Sequence, residues 1–440
     1  MIRVSGESGH HGRIRCPCDK SNHHGAILFL HSFYANLPTR TQTVNQFCRL
    51  DNCAGNMARM RRERMTLSMR EVGLRLFLAL PRDRRERLDV MDQDNLQRLR
   101  ARYAGASGAD IHRADFAKVA ADQFRGDRRK WPFSDVATFL GAPHRPDALA
   151  SPDLGGLDVA IIGLPMDLGV TNRAGARLGP RAVRAVERIG PMDHVMGTAP
   201  LGMLKAADIG DVPFRSRYSL ESCHEDIEAT FKTIVAAGVS PLAVGGDHSI
   251  TWPILRALGE KRPLGMVHID AHCDTSGPYE GSKFHHGGPF RQAVLDGVLD
   301  PRRVVQIGIR GGAEYLWEFS YESGMTVIHA DEVDRIGLDA VIARALSVIG
   351  DGRTYISFDV DSLDPAFAPG TGTPEVGGLS PREALAILRG LKGADIVAAD
   401  VVEVAPQYDA TTNTAQCAAQ VLFTQACLIA EARAAGRGRP

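Results

Sequence analysis

Short apolar runs rich in β-branched residues alternate with amphipathic segments along the chain from residue 157 onward. The apolar runs have the length of strands, and the segments between them show the repeat of helices. Strands that alternate with helices are typical of a parallel sheet covered by helices on both faces. The pattern predicts strands at 158–164, 241–244, 264–269, 304–309, 326–329, 355–358 and 396–401, and helices at 180–189, 219–237, 251–258, 290–296, 338–349, 381–391 and 412–434.

The chain before this alternation has a different character. Residues 1–65 show no sustained periodicity, and we interpret them as a disordered leader. A zinc module and a transit peptide are the alternatives there, because the segment holds four cysteines, several histidines and few acidic residues. Residues 66–150 are charged and largely helical in pattern, which predicts a helical N-terminal extension with an extended lead-in. The α/β domain itself is expected over residues 151–436.

The balance of charge narrows the class of protein. Lysine plus arginine and aspartate plus glutamate both number 52, so the formal net charge is zero. This balance argues against nucleic acid or an acidic membrane as the main partner. No apolar run in the 440 residues is long enough to span a bilayer, and the eight cysteines form no dense framework. We therefore expect a cytoplasmic protein.

Three short motifs carry the candidate chemistry, and each follows one of the predicted strands. They read GGDHS at 245–249, DAHCD at 270–274 and SFDVDSLDP at 357–365. Open α/β sheets build their sites at the carboxyl ends of parallel strands, so the three motifs are expected to meet. Their candidate metal ligands are His248, Asp270, His272, Asp274, Asp359 and Asp361.

This set of two imidazoles and four carboxylates predicts a binuclear metal site. One divalent ion does not need six such ligands, whereas two ions that share bridging carboxylates do. In an extended segment, residues at i, i+2 and i+4 point to one side, which is the spacing of Asp270, His272 and Asp274. The same alternation directs Cys273 away from the ligands. A ligand set without a thiolate favours Mn²⁺ over structural zinc.

The three motifs, complete and in order, resemble those of the ureohydrolase family, to which arginase, agmatinase, guanidinobutyrase and guanidine hydrolase belong. The NRAGARLGP stretch at 172–180 is similar to an early loop of that family, and the likeness covers residues 157–434. The resemblance implies a three-layer α/β/α sandwich with an eight-stranded parallel sheet. It also implies a homotrimer or homohexamer, and it makes residues 151–436 the catalytic domain.

By this resemblance, the six ligands divide between two ions that share a hydroxide, which is the nucleophile. Two cations lower the pKa of a shared water, so that hydroxide exists near neutral pH. The first ion is held by His248, Asp270, Asp274 and Asp359, and the second by Asp270, His272, Asp359 and Asp361.

The resemblance also assigns residues that handle the substrate. A guanidinium carbon is a poor electrophile, so an anion must hold the cation and aim that carbon at the nucleophile. Glu403 matches the carboxylate with this role. His286 matches the proton shuttle, with His285 as the alternative, and both His286 and Glu403 are expected at the substrate. Asp274 is expected to pass a proton to the leaving nitrogen.

Two further stretches bear on the substrate. PGTGTPEVGG at 369–378 and DVVEVAPQYD at 400–409 resemble the agmatinase branch, whereas the long N-terminal extension ending in KWPF at 130–133 resembles the guanidine hydrolase subgroup. We therefore expect release of urea from guanidine, agmatine or 4-guanidinobutyrate, with two Mn²⁺ ions, or Ni²⁺ if the substrate is guanidine. The alternatives are a formimino-substrate hydrolase with the same metal site and a catalytically silent assembly subunit.

Overall fold

The computed structural model describes residues 93–104, 112–114, 117, 134–186 and 189–440. The chain divides into two compact units, one up to Asp110 and one from Ile111 onward. In the first unit, helix α1 covers Gln93–Tyr103, within the span expected to be helical. The predicted leader at 1–65 and the KWPF segment lie outside the described residues, and the predicted domain boundaries stay predictions.

The second unit contains one sheet of eight parallel strands. The strands are β1 (Val159–Leu164), β2 (Ala206–Asp211), β3 (Ser240–Gly245), β4 (Leu264–Ile269), β5 (Leu299–Ile309), β6 (Thr326–His329), β7 (Thr354–Asp359) and β8 (Ile396–Val402). Their order in the sheet is β2-β1-β3-β8-β7-β4-β5-β6. This confirms the eight-stranded parallel sheet that the resemblance implies.

Strand β2 is the one that the apolar pattern did not predict. Asp208 interrupts its apolar run, yet this residue is fully buried. The guanidinium group of Arg184 pairs with its carboxylate, with 2.8 Å between Nε and Oδ2. A buried acid is tolerated when a cation and hydrogen bonds satisfy it, and sequence periodicity does not reveal such a partner.

The second unit has ten α-helices within residues 134–186 and 189–440. They are α2 (Gly179–Arg184), α3 (Pro200–Met203), α4 (Leu220–Ala236), α5 (Thr251–Gly259), α6 (Pro289–Leu295), α7 (Glu318–Ser323), α8 (Ala330–Ile336), α9 (Leu338–Ile349), α10 (Pro381–Gly390) and α11 (Asn413–Ala434). Of the predicted helices, only the first differs clearly, because α2 ends at Arg184 rather than at residue 189. Helices α3, α7 and α8 were not predicted.

The helices cover both faces of the sheet. Val159 and Ile161 of β1 belong to one hydrophobic core, which includes residues of α9, α10 and α11. Ala160 and Ile162 of the same strand belong to a second core with α4, α5 and α6. Successive side chains of a strand point to opposite faces, so the two cores lie on opposite sides of the sheet. The three-layer α/β/α sandwich is confirmed.

No helix in the described part of the chain combines the length and the apolar character needed to cross a membrane.

Candidate metal centre and substrate site

The candidate site lies at the carboxyl ends of the four central strands, β3, β8, β7 and β4, which are neighbours in that order. His248 follows β3, Asp270 directly follows β4, Asp359 ends β7, and Glu403 directly follows β8. Parallel strands end at the same edge of a sheet, so segments as distant as 155 residues in sequence come together. All the residues singled out from the three motifs meet here.

The Nδ1 atom of His248 faces three carboxylates at once. It lies 3.1 Å from Oδ2 of Asp270, 2.9 Å from Oδ2 of Asp274 and 3.2 Å from Oδ2 of Asp359. The ring is fully buried, and among the described residues its Nδ1 atom has no hydrogen-bond partner. Buried lone pairs without donors are costly to leave unsatisfied, so this cluster suits a cation.

Asp270 joins this first cluster to a second one. Its Oδ1 atom accepts a hydrogen bond from the His272 backbone amide at 2.6 Å and lies 3.5 Å from Nδ1 of the His272 ring. That Nδ1 atom lies 3.1 Å from Oδ2 of Asp361. The two oxygens of Asp270 therefore face two different imidazoles. Among the described residues, two groups of potential metal ligands share Asp270. One group contains His248, His268 and Asp270, and the other contains Asp270, His272 and Asp361.

His268 is a buried neighbour that the sequence analysis did not include. Its Nε2 atom lies 2.7 Å from Oδ2 of Asp270, and the Gln306 amide donates to its Nδ1 atom at 3.0 Å. The same amide also donates to the Cys273 carbonyl, which supports this orientation of Gln306. The His268 proton therefore lies on Nε2, where it holds Asp270 in place. The available signal was a polar residue two positions before Asp270, on the same face of β4.

The ligands leave their strands in turns. Residues 270–272 form a bend, and Val360–Ser362 form a 3₁₀ turn in which the Asp361 amide donates to Oδ1 of Asp359 at 2.8 Å. The extended geometry expected for these segments is therefore wrong, although the ligands still converge. Asp274 has a φ of 51° and Glu403 a φ of 65°. Residues other than glycine rarely adopt this left-handed backbone conformation. Such backbone strain persists where the surrounding structure holds the residue in place.

Cys273 points away from the ligands, as the alternation predicted. Its side chain packs in a small apolar cluster with Ile309 and Val327. Burial raises the pKa of the thiol to about 12. Because only the thiolate binds metal ions well, the ligand set here consists of imidazole nitrogens and carboxylate oxygens. Such a set fits Mn²⁺ or a similar divalent ion.

The electrostatics of the cluster also fit divalent cations. Burial, together with repulsion from Asp361 and Asp270, raises the pKa of Asp359 well above its usual range. Burial opposes a charge on His248, but the negative carboxylates of Asp270, Asp274 and Asp359 around it raise the pKa of this imidazole well above its usual range. These groups hold protons in a site crowded with carboxylates, and divalent ions would replace the protons and relieve the repulsion.

We expect the affinity for divalent ions to fall as the pH falls. Asp359 and His248 both have raised pKa values without metal, so they keep protons up to higher pH, and an ion must displace those protons to bind. Calorimetric titration with Mn²⁺ from weakly alkaline to weakly acidic pH, in buffers of different ionisation enthalpy, measures both the affinity and the protons released. Binding that is independent of pH and releases no protons would contradict this expectation.

Glu403 lies beside this cluster with one oxygen held and the other free. Its Oε1 atom accepts a hydrogen bond from the His248 backbone at 2.9 Å and lies 2.8 Å from Nδ1 of His286. Its Oε2 atom is buried and has no partner among the described residues. The side chain is 1% exposed, so water does not satisfy that oxygen freely. A free buried carboxylate oxygen is suited to a cationic N–H donor.

The loop of residues 369–378, which carries one of the two agmatinase-like motifs, passes directly over Glu403. A Cβ atom on Gly372 would stand 3.9 Å from Oε2 of Glu403 and only 2.7 Å from the Arg173 carbonyl, so a side chain at position 372 would clash. The Arg173 guanidinium donates to the carbonyl groups of Thr371 at 2.9 Å and Gly372 at 3.2 Å. It also stacks 4.4 Å from the centre of the Tyr408 ring. Arg173 thereby holds this loop close to the free oxygen.

A buried network behind the cluster orients His248. Its Nε2 atom lies 2.8 Å from Oγ of Ser357, whose hydroxyl donates to Oδ1 of Asp400 at 2.8 Å. The other oxygen of Asp400 accepts from the hydroxyls of Tyr355 at 2.8 Å and Thr251 at 2.6 Å. Because the hydroxyl proton of Ser357 goes to Asp400, the Oγ atom of Ser357 accepts the Nε2 proton of His248. In the neutral imidazole this leaves the lone pair on Nδ1, toward the carboxylates.

Replacement of Ser357 by alanine should weaken metal binding without unfolding the protein. It removes the acceptor that places the His248 proton on Nε2, and loss of such an outer partner typically costs about 10- to 100-fold in metal affinity. Mn²⁺ titration of Ser357→Ala measures the loss, with Ser323→Ala as the matched control away from the site. An affinity equal to that of the control would show that Ser357 does not orient the ligand.

Comparison with known proteins identifies the family. Residues 157–427, which make up more than half of the chain, match the arginase family. The chain belongs to the arginase family. Guanidinopropionase of Pseudomonas aeruginosa is 48% identical over 306 residues, which cover 69% of this chain and 94% of that protein. The mitochondrial agmatinase of Gallus gallus is 48% identical over 278 residues, or 62% of this chain and 82% of its own length.

Solved structures agree with this family. The proclavaminate amidino hydrolase of Streptomyces clavuligerus superposes with a TM-score of 0.63 at 35% sequence identity, over 68% of this chain and 99% of that one. This arginase-family chain lies in the agmatinase-like branch, and it is a hydrolase of linear amidines.

Proposed function

We propose that this arginase-family protein is a binuclear-metal hydrolase that cleaves a C–N bond of a guanidino compound and releases urea. The observation that carries the proposal is the free, buried Oε2 atom of Glu403 beside the two clusters that share Asp270. A guanidinium group is a planar cation with several N–H donors, and it satisfies such an oxygen by charge-assisted hydrogen bonds. The candidate substrates are guanidine, agmatine, 4-guanidinobutyrate and, from the Pseudomonas relative, guanidinopropionate.

The proposed metal sites follow the two clusters. Mn²⁺ is the proposed ion, with Ni²⁺ if the substrate is guanidine. When bound, two divalent ions would lower the pKa of a water molecule that they share and would polarise the guanidinium group. The residues proposed to hold the first ion are His248, Asp270, Asp274 and Asp359, and those proposed for the second are Asp270, His272, Asp359 and Asp361.

The proposed roles of the other residues concern binding and protons. Oε2 of Glu403 binds the guanidinium N–H groups, and its Oε1 atom keeps the carboxylate in place. Burial opposes a charge on His286, but the attraction of Glu403 outweighs it and raises the pKa of His286 to about 9. At neutral pH the attraction of Glu403 therefore favours the protonated, positively charged imidazole of His286. Asp274 is proposed to move a proton from the attacking water to the leaving nitrogen.

Two alternative functions are less well supported. A formimino-substrate hydrolase would use the same metal ligands, but the agmatinase-like loop that covers Glu403 favours a guanidino substrate. A catalytically silent subunit would be expected to lack a ligand, Glu403 or His286, whereas the structure brings all of them together. A homotrimer or homohexamer stays a prediction from the resemblance, and a cytoplasmic location stays a prediction from the cysteine pattern.

The test is urea release from guanidine, guanidinopropionate, 4-guanidinobutyrate, agmatine and arginine by protein loaded with Mn²⁺ or Ni²⁺. Turnover of a tailed substrate with Mn²⁺ would support an agmatinase- or guanidinobutyrase-type enzyme. Turnover of free guanidine, particularly with Ni²⁺, would support a guanidine hydrolase. Protein that contains two ions per chain and yet releases urea from none of these compounds would contradict the proposal.

A further inference from the structure

The second ring nitrogen of His286 contacts a surface residue that none of the motif assignments includes. Its Nε2 atom lies 2.7 Å from Oγ1 of Thr171, and the Thr171 backbone amide donates to the same nitrogen at 3.1 Å. The imidazole is buried, with 8% of the residue exposed, whereas Thr171 lies at the protein surface. The Thr171 hydroxyl therefore links the buried ring to the protein surface.

The backbone that carries Thr171 is fixed from two directions. The Gly169 amide donates to Oδ2 of Asp247 at 2.7 Å, and the Gly169 carbonyl accepts from the His286 amide at 2.9 Å. A Cβ atom on Gly169 would stand 2.8 Å from Oγ of Ser249, so the segment packs closely against the loop after β3. The Thr171 hydroxyl and the His286 ring are thus held in register by a shared backbone contact.

The gain and loss of protons during the reaction explain why such a contact is useful. Hydrolysis of a guanidinium cation by water gives urea and an ammonium ion, so the net reaction neither releases nor consumes a proton. Within one turnover, however, water loses a proton before the leaving nitrogen takes one up. A buried base that exchanges protons with solvent can accept the proton that water loses, and a proton can then be returned to the leaving nitrogen.

We propose that the Thr171 hydroxyl is the link through which the buried His286 exchanges protons with solvent, an inference that rests on the proposed hydrolase function. When Nε2 is protonated, it gives its proton to Oγ1 of Thr171 while the hydroxyl proton passes to a solvent water. The reverse transfer returns a proton to the ring. No bond other than O–H and N–H bonds changes, and the Thr171 backbone amide donates to Nε2 whenever that nitrogen is unprotonated. Thr171 is a positioning and relay residue, because it acts through His286.

The test compares Thr171→Val with Thr171→Ser. Valine keeps the shape and the backbone amide but removes the hydroxyl, whereas serine restores the hydroxyl. We expect kcat to fall about 100-fold in Thr171→Val, the lower end of what a positioned acid–base group contributes, with KM and metal content unchanged, and to recover in Thr171→Ser. Added imidazole should partly restore kcat in the valine variant, because a small base replaces the missing link. The matched control is Thr233→Val on the exposed face of α4, where the hydroxyl donates to the Ala229 carbonyl of its own helix.

Each other outcome counts against the relay. An unchanged kcat in Thr171→Val would show that water reaches His286 without the hydroxyl. A raised KM with unchanged kcat would make Thr171 a substrate contact, and a loss of kcat that neither serine nor imidazole restores would make its role structural. Failure of the hydrolase proposal itself is distinguishable, because the unmodified protein would then release no urea.

Discussion

Asp270→Ala should abolish both the retention of two divalent ions and the turnover of guanidino substrates. One oxygen of Asp270 faces His248 and the other faces His272, so this single side chain serves both clusters. Its removal leaves His248, His272 and the remaining carboxylates without their common partner. We expect a loss larger than the roughly 10- to 100-fold that removal of an outer-shell partner costs in metal affinity or activity.

Metal content after gel filtration and the rate of urea release measure this effect. Asp270→Asn is the second variant, because it keeps the size of the side chain and preserves the fold if alanine does not. Asp153→Ala, on an exposed loop, is the control and should keep both metal and activity. Full activity of either Asp270 variant would overturn the two-ion interpretation.

Glu403→Gln should leave the metal ions bound and weaken recognition of the guanidinium group. The substitution keeps the shape of the side chain but removes the negative charge that Oε2 offers to the substrate. Hydrogen bonds to a charged group contribute about 1.5–3 kcal/mol. The value of kcat/KM should therefore fall roughly 10- to 150-fold. The pKa of His286 should fall too, because the attraction that raises it is lost.

Steady-state kinetics over a range of pH, with metal analysis of the same samples, separate these effects. Glu225→Gln is the matched control, since Glu225 is exposed and pairs with Arg215 on the surface. Kinetics identical to those of the unmodified protein would reject the assigned role of Glu403. A loss of bound metal would instead make Glu403 part of the metal centre.

Most strands and the ligand identities could be predicted because their signals are local. An apolar run such as 264–269 is visible without knowledge of its neighbours, and it matches β4 residue for residue. Strand β2 was missed because the partner that stabilises Asp208, Arg184, lies on another element. His268 was missed for a similar reason, since its role depends on Gln306 of the neighbouring strand.

The sequence by itself determined the α/β alternation, the donor types of the candidate metal centre and the family resemblance, because these depend on local periodicity and on short motifs. Only the tertiary structure decided the strand order that places β8 between β3 and β7 and so brings Glu403 to His248. It also decided which oxygen of Glu403 is free, how Asp400 and Ser357 orient His248, and that Thr171 reaches His286. Such contacts join residues far apart in the chain, and the packing of the sheet and its loops determines them.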